Sequence, residues 1–175
     1  MKNLYLLVGV FGLFAIQVKA QTTVQLQDCD QLYAKRGSAL FDSVKCSQQL
    51  AATQSGSAAV ASYERSLISL SAIVNTSAKT PDERKAIDQG LALVDEMKLK
   101  FESSSDYHYW NAVWMSFDAI ALDRGAVLPR HMFKSLKTIQ AELRKAIDLD
   151  PTIHSYGPHR VLGLMHTQMP GIVGG

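Results

Sequence analysis

The chain has 175 residues, of which 47% are hydrophobic and 19% charged, with 18 Lys and Arg against 16 Asp and Glu. This length and composition fit one globular domain. The sequence has no dense basic run of the kind that nucleic-acid-binding proteins carry, so we exclude nucleic acid as a partner.

The first twenty residues have the features of a secretory signal peptide. Lys2 supplies a positive n-region, residues 4–16 are apolar, and Val18-Lys19-Ala20 resembles a signal-peptidase site. The apolar stretch is shorter than the roughly 20 residues that a membrane-spanning helix needs, which disfavours the alternative of an uncleaved anchor. We therefore expect cleavage after Ala20. Without Lys2 and Lys19 the chain keeps 16 basic and 16 acidic residues and is formally neutral.

The chain has two cysteines, and in an exported protein such cysteines can form a disulfide that persists. Cys29 lies eight residues before Gly37 and Cys46 eight residues after Ser38, on either side of a predicted turn. In an antiparallel helical hairpin, these positions are level with each other, which predicts a Cys29–Cys46 disulfide. The alternative is two unrelated buried thiols. Because Cys29 follows polar residues far from the apolar stretch, we expect no lipid anchor.

Hydrophobic periodicity predicts about seven helices after the signal peptide, and no strand. We expect Asp106 to cap the N-terminus of the fifth helix. The predicted helices cover residues 28–36, 39–53, 58–74, 81–101, a stretch from Asp106 to just before Gly125, 128–149 and 158–169. The short links indicate an all-α domain over residues 21–175, built of stacked antiparallel hairpins in a TPR-like α-solenoid.

The seventh helix has no predicted partner. Counted in pairs, it is the first half of a fourth hairpin, and a helical repeat needs a neighbour to cover its apolar face. We therefore expect either that the sequence lacks its final helices or that another chain covers this helix. That other chain could be a second copy of this protein, so the sequence leaves open a homo-oligomer.

Three stretches carry a resemblance to a known family: "YWNAVWMSFDAIALDRG", "IQAELRKAIDLDP" and "GPHRVLGLMHTQMPGIVGG". They resemble the T component of TRAP transporters, exported bacterial helical proteins of tetratricopeptide type. The resemblance spans residues 32–175 and is densest after Tyr107. Its most specific residues are Gly157, Pro158, Arg160, Leu162, Gly163, Pro170, Gly174 and Gly175.

The resemblance implies a periplasmic protein that works with a solute-binding protein of a TRAP transport system. Two features depart from the family's pattern. Many relatives are lipoproteins, whereas this chain has no lipid-accepting cysteine at its cleavage site. Bulky Trp114 also occupies a position where the tetratricopeptide signature expects a small residue.

Within the final motif, Pro158 suits a first helical turn, since its missing N–H would be unpaired there anyway. Gly163 costs roughly 1 kcal/mol relative to Ala inside a helix, so we expect close backbone packing at this glycine. Arg160 lies in the first turn, where the helix dipole disfavours a cation. We expect a negative partner for it, either Asp148 or Asp150, or else an acidic ligand.

Aromatic residues cluster in "DYHYWNAVW". Trp110, Trp114 and Phe117 share one helix face, which is either core or the lining of a groove for an apolar or amphipathic ligand. Tyr107 and Tyr109 near the helix start are candidates for its rim. The candidate ligand-binding residues are therefore Arg160, Trp110, Tyr107, Tyr109 and His159.

No metal-ligand set, phosphate-binding loop or nucleophile motif is present, so we expect neither metal, cofactor nor enzymatic activity. The leading hypothesis is an exported helical-repeat adaptor of a TRAP-type system, binding a solute-binding protein and a small organic acid. The alternative is a periplasmic helical-repeat scaffold for protein–protein interaction, with no small-molecule site.

Overall fold

The computed structural model describes residues 28–36, 39–74, 81–124 and 130–168. All regular structure within these ranges is helical, and the all-α prediction is confirmed. The predicted signal peptide, the predicted turn at Gly37-Ser38, and Pro170, Gly174 and Gly175 lie outside the described residues.

The observed helices follow the predicted order closely. In chain order, they are α1 over residues 28–34, α2 Leu40–Thr53, α3 Gly56–Val74, α4 Pro81–Phe101, α5 Ser105–Asp123, α6 Arg130–Leu149 and α7 Ile153–Gln168.

Two helices, α5 and α6, have their N-termini capped by side chains that accept hydrogen bonds from backbone amides of the first turn. Ser104 caps α5, and its hydroxyl accepts a hydrogen bond from the Tyr107 amide at 3.1 Å. The prediction that Asp106 takes this role is wrong, because α5 begins at Ser105 and Asp106 lies inside its first turn. Asp123, the last residue of α5, accepts from the backbone amides of His131 at 2.9 Å and Met132 at 2.6 Å. The end of α5 therefore caps the start of α6.

The described chain falls into two compact units, one within Met1–Ser69 and the other within Leu70–Gly175, with the boundary inside α3. In the first unit, Cys29 and Cys46 form a disulfide with Cα atoms 5.4 Å apart, which confirms the predicted pairing. Cys29 is 1% exposed. The bond joins α1 to α2.

Serine side chains are unusually common in the interior of the first unit. Ser43 and Ser47 of α2 and Ser62 and Ser66 of α3 are all buried. The Ser66 hydroxyl lies 3.3 Å from the carbonyl oxygen of Val44, to which it donates. This hydrogen bond links the side chain of α3 to the backbone of α2.

The second unit is built in chain order: α4 packs on α5, α5 on α6 and α6 on α7, and α5 also contacts α7. The core of the last three helices consists of Ala112, Leu136, Ile139, Leu143 and Met165. In the sequence, Leu136, Ile139 and Leu143 recur at the three- and four-residue spacings that place apolar side chains on one face of a helix. The periodicity of the sequence thus identified the buried face of this helix.

Ion pairs and one close contact join α4 to α5. Arg84 donates to the Asp118 carboxylate at 2.7 Å, and Arg124 pairs with the buried Glu83. Gly90 lies against the Trp114 ring so tightly that a Cβ on it would be 2.3 Å from ring carbons. Gly90 is therefore the glycine that close packing of α4 and α5 requires.

None of the helices in the described ranges combines the length and apolar character needed to cross a bilayer.

Candidate functional site

The predicted ligand-binding residues come from two helix starts within the second unit. Tyr107, Tyr109 and Trp110 lie in the first turns of α5, and His159 and Arg160 lie in α7. Helices α5 and α7 contact each other, and Tyr109 and Trp110 lie against His154 of α7, so these two starts meet at one corner. We refer to this corner, formed by the start of α5 and residues 153–160, as the α5–α7 corner.

His154 is the residue that joins the two starts. Its ring centroid lies 4.7 Å from that of Tyr109 and 5.6 Å from that of Trp110. Its Nε2 atom lies 3.7 Å from a carboxylate oxygen of Asp106, also at the start of α5. His154 was not among the predicted site residues, because nothing in the spacing of the histidines links it to α5.

The backbone at the corner has an unusual conformation. His154, Ser155 and Tyr156 all have left-handed dihedral angles, with φ values of 49°, 53° and 62°. Such a conformation costs a non-glycine residue of order 1 kcal/mol or more and persists only where the surroundings enforce it. The regular part of α7 begins after Tyr156, which places Pro158 in its first turn, as the sequence predicts.

Arg160 supports this left-handed turn. Its guanidinium donates to the carbonyl oxygens of Ser155 and His154, the latter at 3.1 Å. The predicted pairing with Asp148 or Asp150 is wrong, since these carbonyls take up the guanidinium and Asp150 instead accepts from the Thr152 amide at 2.9 Å. Carbonyl oxygens carry partial negative charge, which offsets the unfavourable position of this cation in the first turn of the regular helix.

The two glycines of the motif differ in their surroundings. Gly157 is buried beside Tyr109, whose Cε2 atom would lie 3.0 Å from a Cβ at this position. Gly163 is exposed, and a Cβ there would meet no described atom within 4 Å apart from its chain neighbours and the nearby backbone of its own helix. The expectation of close packing at Gly163 is therefore wrong for the described residues. Within this motif, the glycine that packs closely is Gly157, whose backbone lies against the Tyr109 ring.

The tryptophan stripe is core. Trp110 is 7% exposed and Trp114 is fully buried, with Phe117 packed edge-on at a centroid distance of 5.3 Å. Tyr107 is also buried, and burial together with the charges of Glu142, Glu102 and Asp95 raises the pKa of its hydroxyl. Of the five candidate residues, only His159 and Arg160 are exposed, while Tyr109 is half-buried.

A buried polar cluster that the sequence did not predict lies next to the corner. His108 Nδ1 lies 2.7 Å from a carboxylate oxygen of Glu142, and both side chains are 11% exposed. Lys145 donates to the other oxygen of Glu142 at 3.0 Å. The cluster joins α5 to α6 across 34 residues of sequence, and no local pattern could have revealed it.

The charge of Glu142 is stabilised by these neighbours. Burial alone would raise the pKa of its carboxyl group, but hydrogen bonds from His108, Lys145 and Asn111 outweigh that effect and lower the pKa. Glu142 is therefore an anion held by three donors from two helices. Glu142 thereby links α6 to α5 through His108 and Asn111.

A shallow, open depression at the end of α4 contains none of the predicted site residues. It is lined by Lys98, Leu99, Lys100, Glu102 and Ser103. At the α5–α7 corner, in contrast, Tyr156, His159 and Arg160 form an exposed edge of α7, whereas Trp110 of α5 is buried. Chemically, this edge presents an aromatic face, an imidazole and part of a guanidinium.

No protein-family model, curated protein or solved structure matches this chain. The resemblance to the TRAP T component therefore stays a prediction based on the motif residues.

Proposed function

We propose that this protein is an exported, periplasmic adaptor of a TRAP-type transport system, a TPR-like helical repeat that binds a solute-binding protein. The observation that carries the proposal is the α5–α7 corner. Gly157, Pro158 and Arg160, which carry the resemblance, act together there: Gly157 admits the Tyr109 ring, Pro158 begins the regular helix and Arg160 supports the turn. The succession of α5, α6 and α7 agrees with a repeat in which one hairpin packs on the first helix of the next.

Binding to the TRAP-type solute-binding proteins of the same organism would test this proposal. We expect saturable binding to at least one of them by surface-based affinity measurement. A chain that keeps its helical circular dichroism but binds none of these proteins would overturn it. Unrelated periplasmic binding proteins of similar charge serve as the control.

A small organic acid is a further part of the proposal, with Arg160 and His159 as its binding residues. These two side chains are exposed and lie in the first turns of the regular part of α7, where amide groups favour anions. Thermal-shift measurements with a panel of carboxylates should then show a ligand-dependent stabilisation. The double variant Arg160→Gln/His159→Gln should lose it while remaining folded.

The second candidate is a helical-repeat scaffold with no small-molecule site. It is favoured by the burial of Trp110 and Tyr107, since buried aromatic side chains have little surface left to line a groove. The engagement of Arg160 with backbone carbonyls favours it also. A thermal shift from no carboxylate, combined with retained binding to a protein partner, would select this candidate.

A further inference from the structure

Helix α6 has two faces of opposite character. Its inner face carries Leu136, Ile139, Leu143 and Ala146, all of which are at most 3% exposed. Its outer face carries exposed basic residues along most of the helix. The inner face is occupied by the core with α5 and α7, and the outer face is open to solvent.

The basic residues on the outer face form a regular row. Arg130, Lys134, Lys137 and Arg144 are separated by four, three and seven residues, which are spacings that return to the same side of an α-helix. At a rise of 1.5 Å per residue, the row is about 21 Å long. We call these four residues the basic stripe. Ala141 occupies the intervening position, and Asp148 follows the stripe as the next residue in the series.

The four cations of the stripe have no ion-pair partner among the described residues. Other basic side chains of the same structure do pair with acids: Arg65 with Asp30, Arg84 with Asp118, and Lys145 with Glu142. The stripe is therefore a concentration of uncompensated positive charge on a chain whose overall charge is close to balanced.

We propose that the basic stripe is a docking surface for an anionic lipid bilayer, with the four cations facing the phosphate groups of the lipids. Each Lys or Arg held near such a surface strengthens binding roughly fivefold, or about 1 kcal/mol, so four in one row are sufficient for reversible association. A straight helix face can lie parallel to a flat membrane, so all four side chains can reach it together. This inference does not rest on the proposed adaptor function.

The composition of the stripe favours a lipid surface over a protein partner. The exposed side chains between its cations include Thr138 and Ala141, which are small, and no large apolar residue is exposed there. Protein interfaces derive most of their affinity from buried aromatic and apolar anchors. A headgroup layer needs no such anchor, because exposed cations attract it without being desolvated.

Sedimentation of the full chain with lipid vesicles tests the proposal. The vesicles are phosphatidylcholine with or without phosphatidylglycerol, at about 0.1 M salt, where electrostatic attraction extends roughly 10 Å. Binding to the neutral vesicles measures any contribution of the apolar N-terminal segment. We expect additional binding to the anionic vesicles, which increasing salt concentration should abolish.

Two variants with the same change in net charge locate the interaction. Lys134→Gln/Lys137→Gln should weaken partitioning onto anionic vesicles by roughly 25-fold, at fivefold per cation. Lys98→Gln/Lys100→Gln removes two exposed lysines of α4 and should bind nearly as the unaltered chain does. Circular dichroism confirms that both variants are folded.

Three outcomes would overturn the proposal. They are no preference of the unaltered chain for anionic vesicles, equal losses in the two variants, and tighter binding to double-stranded DNA or polyglutamate than to the vesicles. The second outcome would indicate an effect of net charge alone, and the third would assign the stripe to nucleic acid or to an acidic polypeptide.

Discussion

Whether a glycine of this fold can be replaced by a larger residue depends on the side chains packed against it. Gly90 and Gly163 both occupy helix interiors and look equivalent in the sequence. The first lies against a fully buried tryptophan, whereas the second lies in the open. The chemical nature of a residue does not reveal its neighbours, and only the neighbours decide the effect of an added methyl group.

Gly90→Ala should therefore destabilise the protein. The new Cβ would lie 2.3 Å from Trp114 ring carbons, and a core ring can shift only at a cost. We expect a loss of about 1–3 kcal/mol in the free energy of unfolding, measured by urea denaturation, despite the better helix propensity of Ala. The matched control Gly163→Ala should gain up to about 1 kcal/mol from propensity alone. Equal effects of the two substitutions would contradict the packing at Gly90.

At the scale of elements, the helices are held by features at their ends as well as by their apolar faces. Ser104 caps α5, Asp123 caps α6, and a disulfide joins α1 to α2. All three features lie within or between neighbouring helices along the chain, so local sequence can suggest them. The role of Ser104 was nevertheless assigned to Asp106, because caps are hard to place to within two residues.

The Ser104 cap can be measured directly. Ser104→Ala removes the acceptor of the Tyr107 amide and should cost about 1 kcal/mol of stability. Ser103→Ala, one residue earlier and exposed, should change the free energy of unfolding by less than about 0.5 kcal/mol. If Ser103→Ala were the more harmful change, the cap would be misassigned.

The disulfide between α1 and α2 should stabilise the folded chain through its loop. Cys29 and Cys46 are 17 residues apart, for which the loop-closure model gives about 3 kcal/mol. The double variant Cys29→Ser/Cys46→Ser should lose stability by about this amount in urea denaturation. A reducing agent should destabilise the unaltered chain similarly and leave the double variant unchanged.

At the scale of the whole molecule, acidic groups make stability depend on pH. The pKa values of Asp88, Asp123, Glu142 and Asp150 are all lowered, chiefly by hydrogen bonds from neighbouring donors that outweigh any burial. A carboxyl group with a lowered pKa in the folded state contributes stability above its unfolded pKa. That contribution is lost as the pH falls through the folded pKa.

We therefore expect the free energy of unfolding to be flat near neutral pH and to decline below about pH 4.5, where unfolded carboxyl groups begin to bind protons. Glu142→Gln should cost about 1–3 kcal/mol at neutral pH, because His108 and Lys145 lose a charged partner. The difference between variant and unaltered chain should shrink as the pH falls. A difference that stays constant from pH 7 to pH 3.5 would show that the charge of Glu142 is not responsible.

The sequence by itself determined the all-α class, the order and approximate limits of the described helices, the buried face of α6 and the Cys29–Cys46 bond. These features depend on periodicity, caps and spacing over a few turns, which are properties of nearby residues in the chain. The candidate site was predicted only in part. Tyr109 and Trp110 do lie against the start of α7 through His154, which was not selected, but Trp110 and Tyr107 are buried.

Only the tertiary structure decided which groups meet across long stretches of chain. His108 finds Glu142, Gly90 accommodates Trp114, and the carbonyls of a left-handed turn, rather than a carboxylate, accept from Arg160. In each case the sequence contains several groups that could make the same interaction. The choice among them depends on how the helices pack, and packing is a property of the assembled core that no local pattern contains.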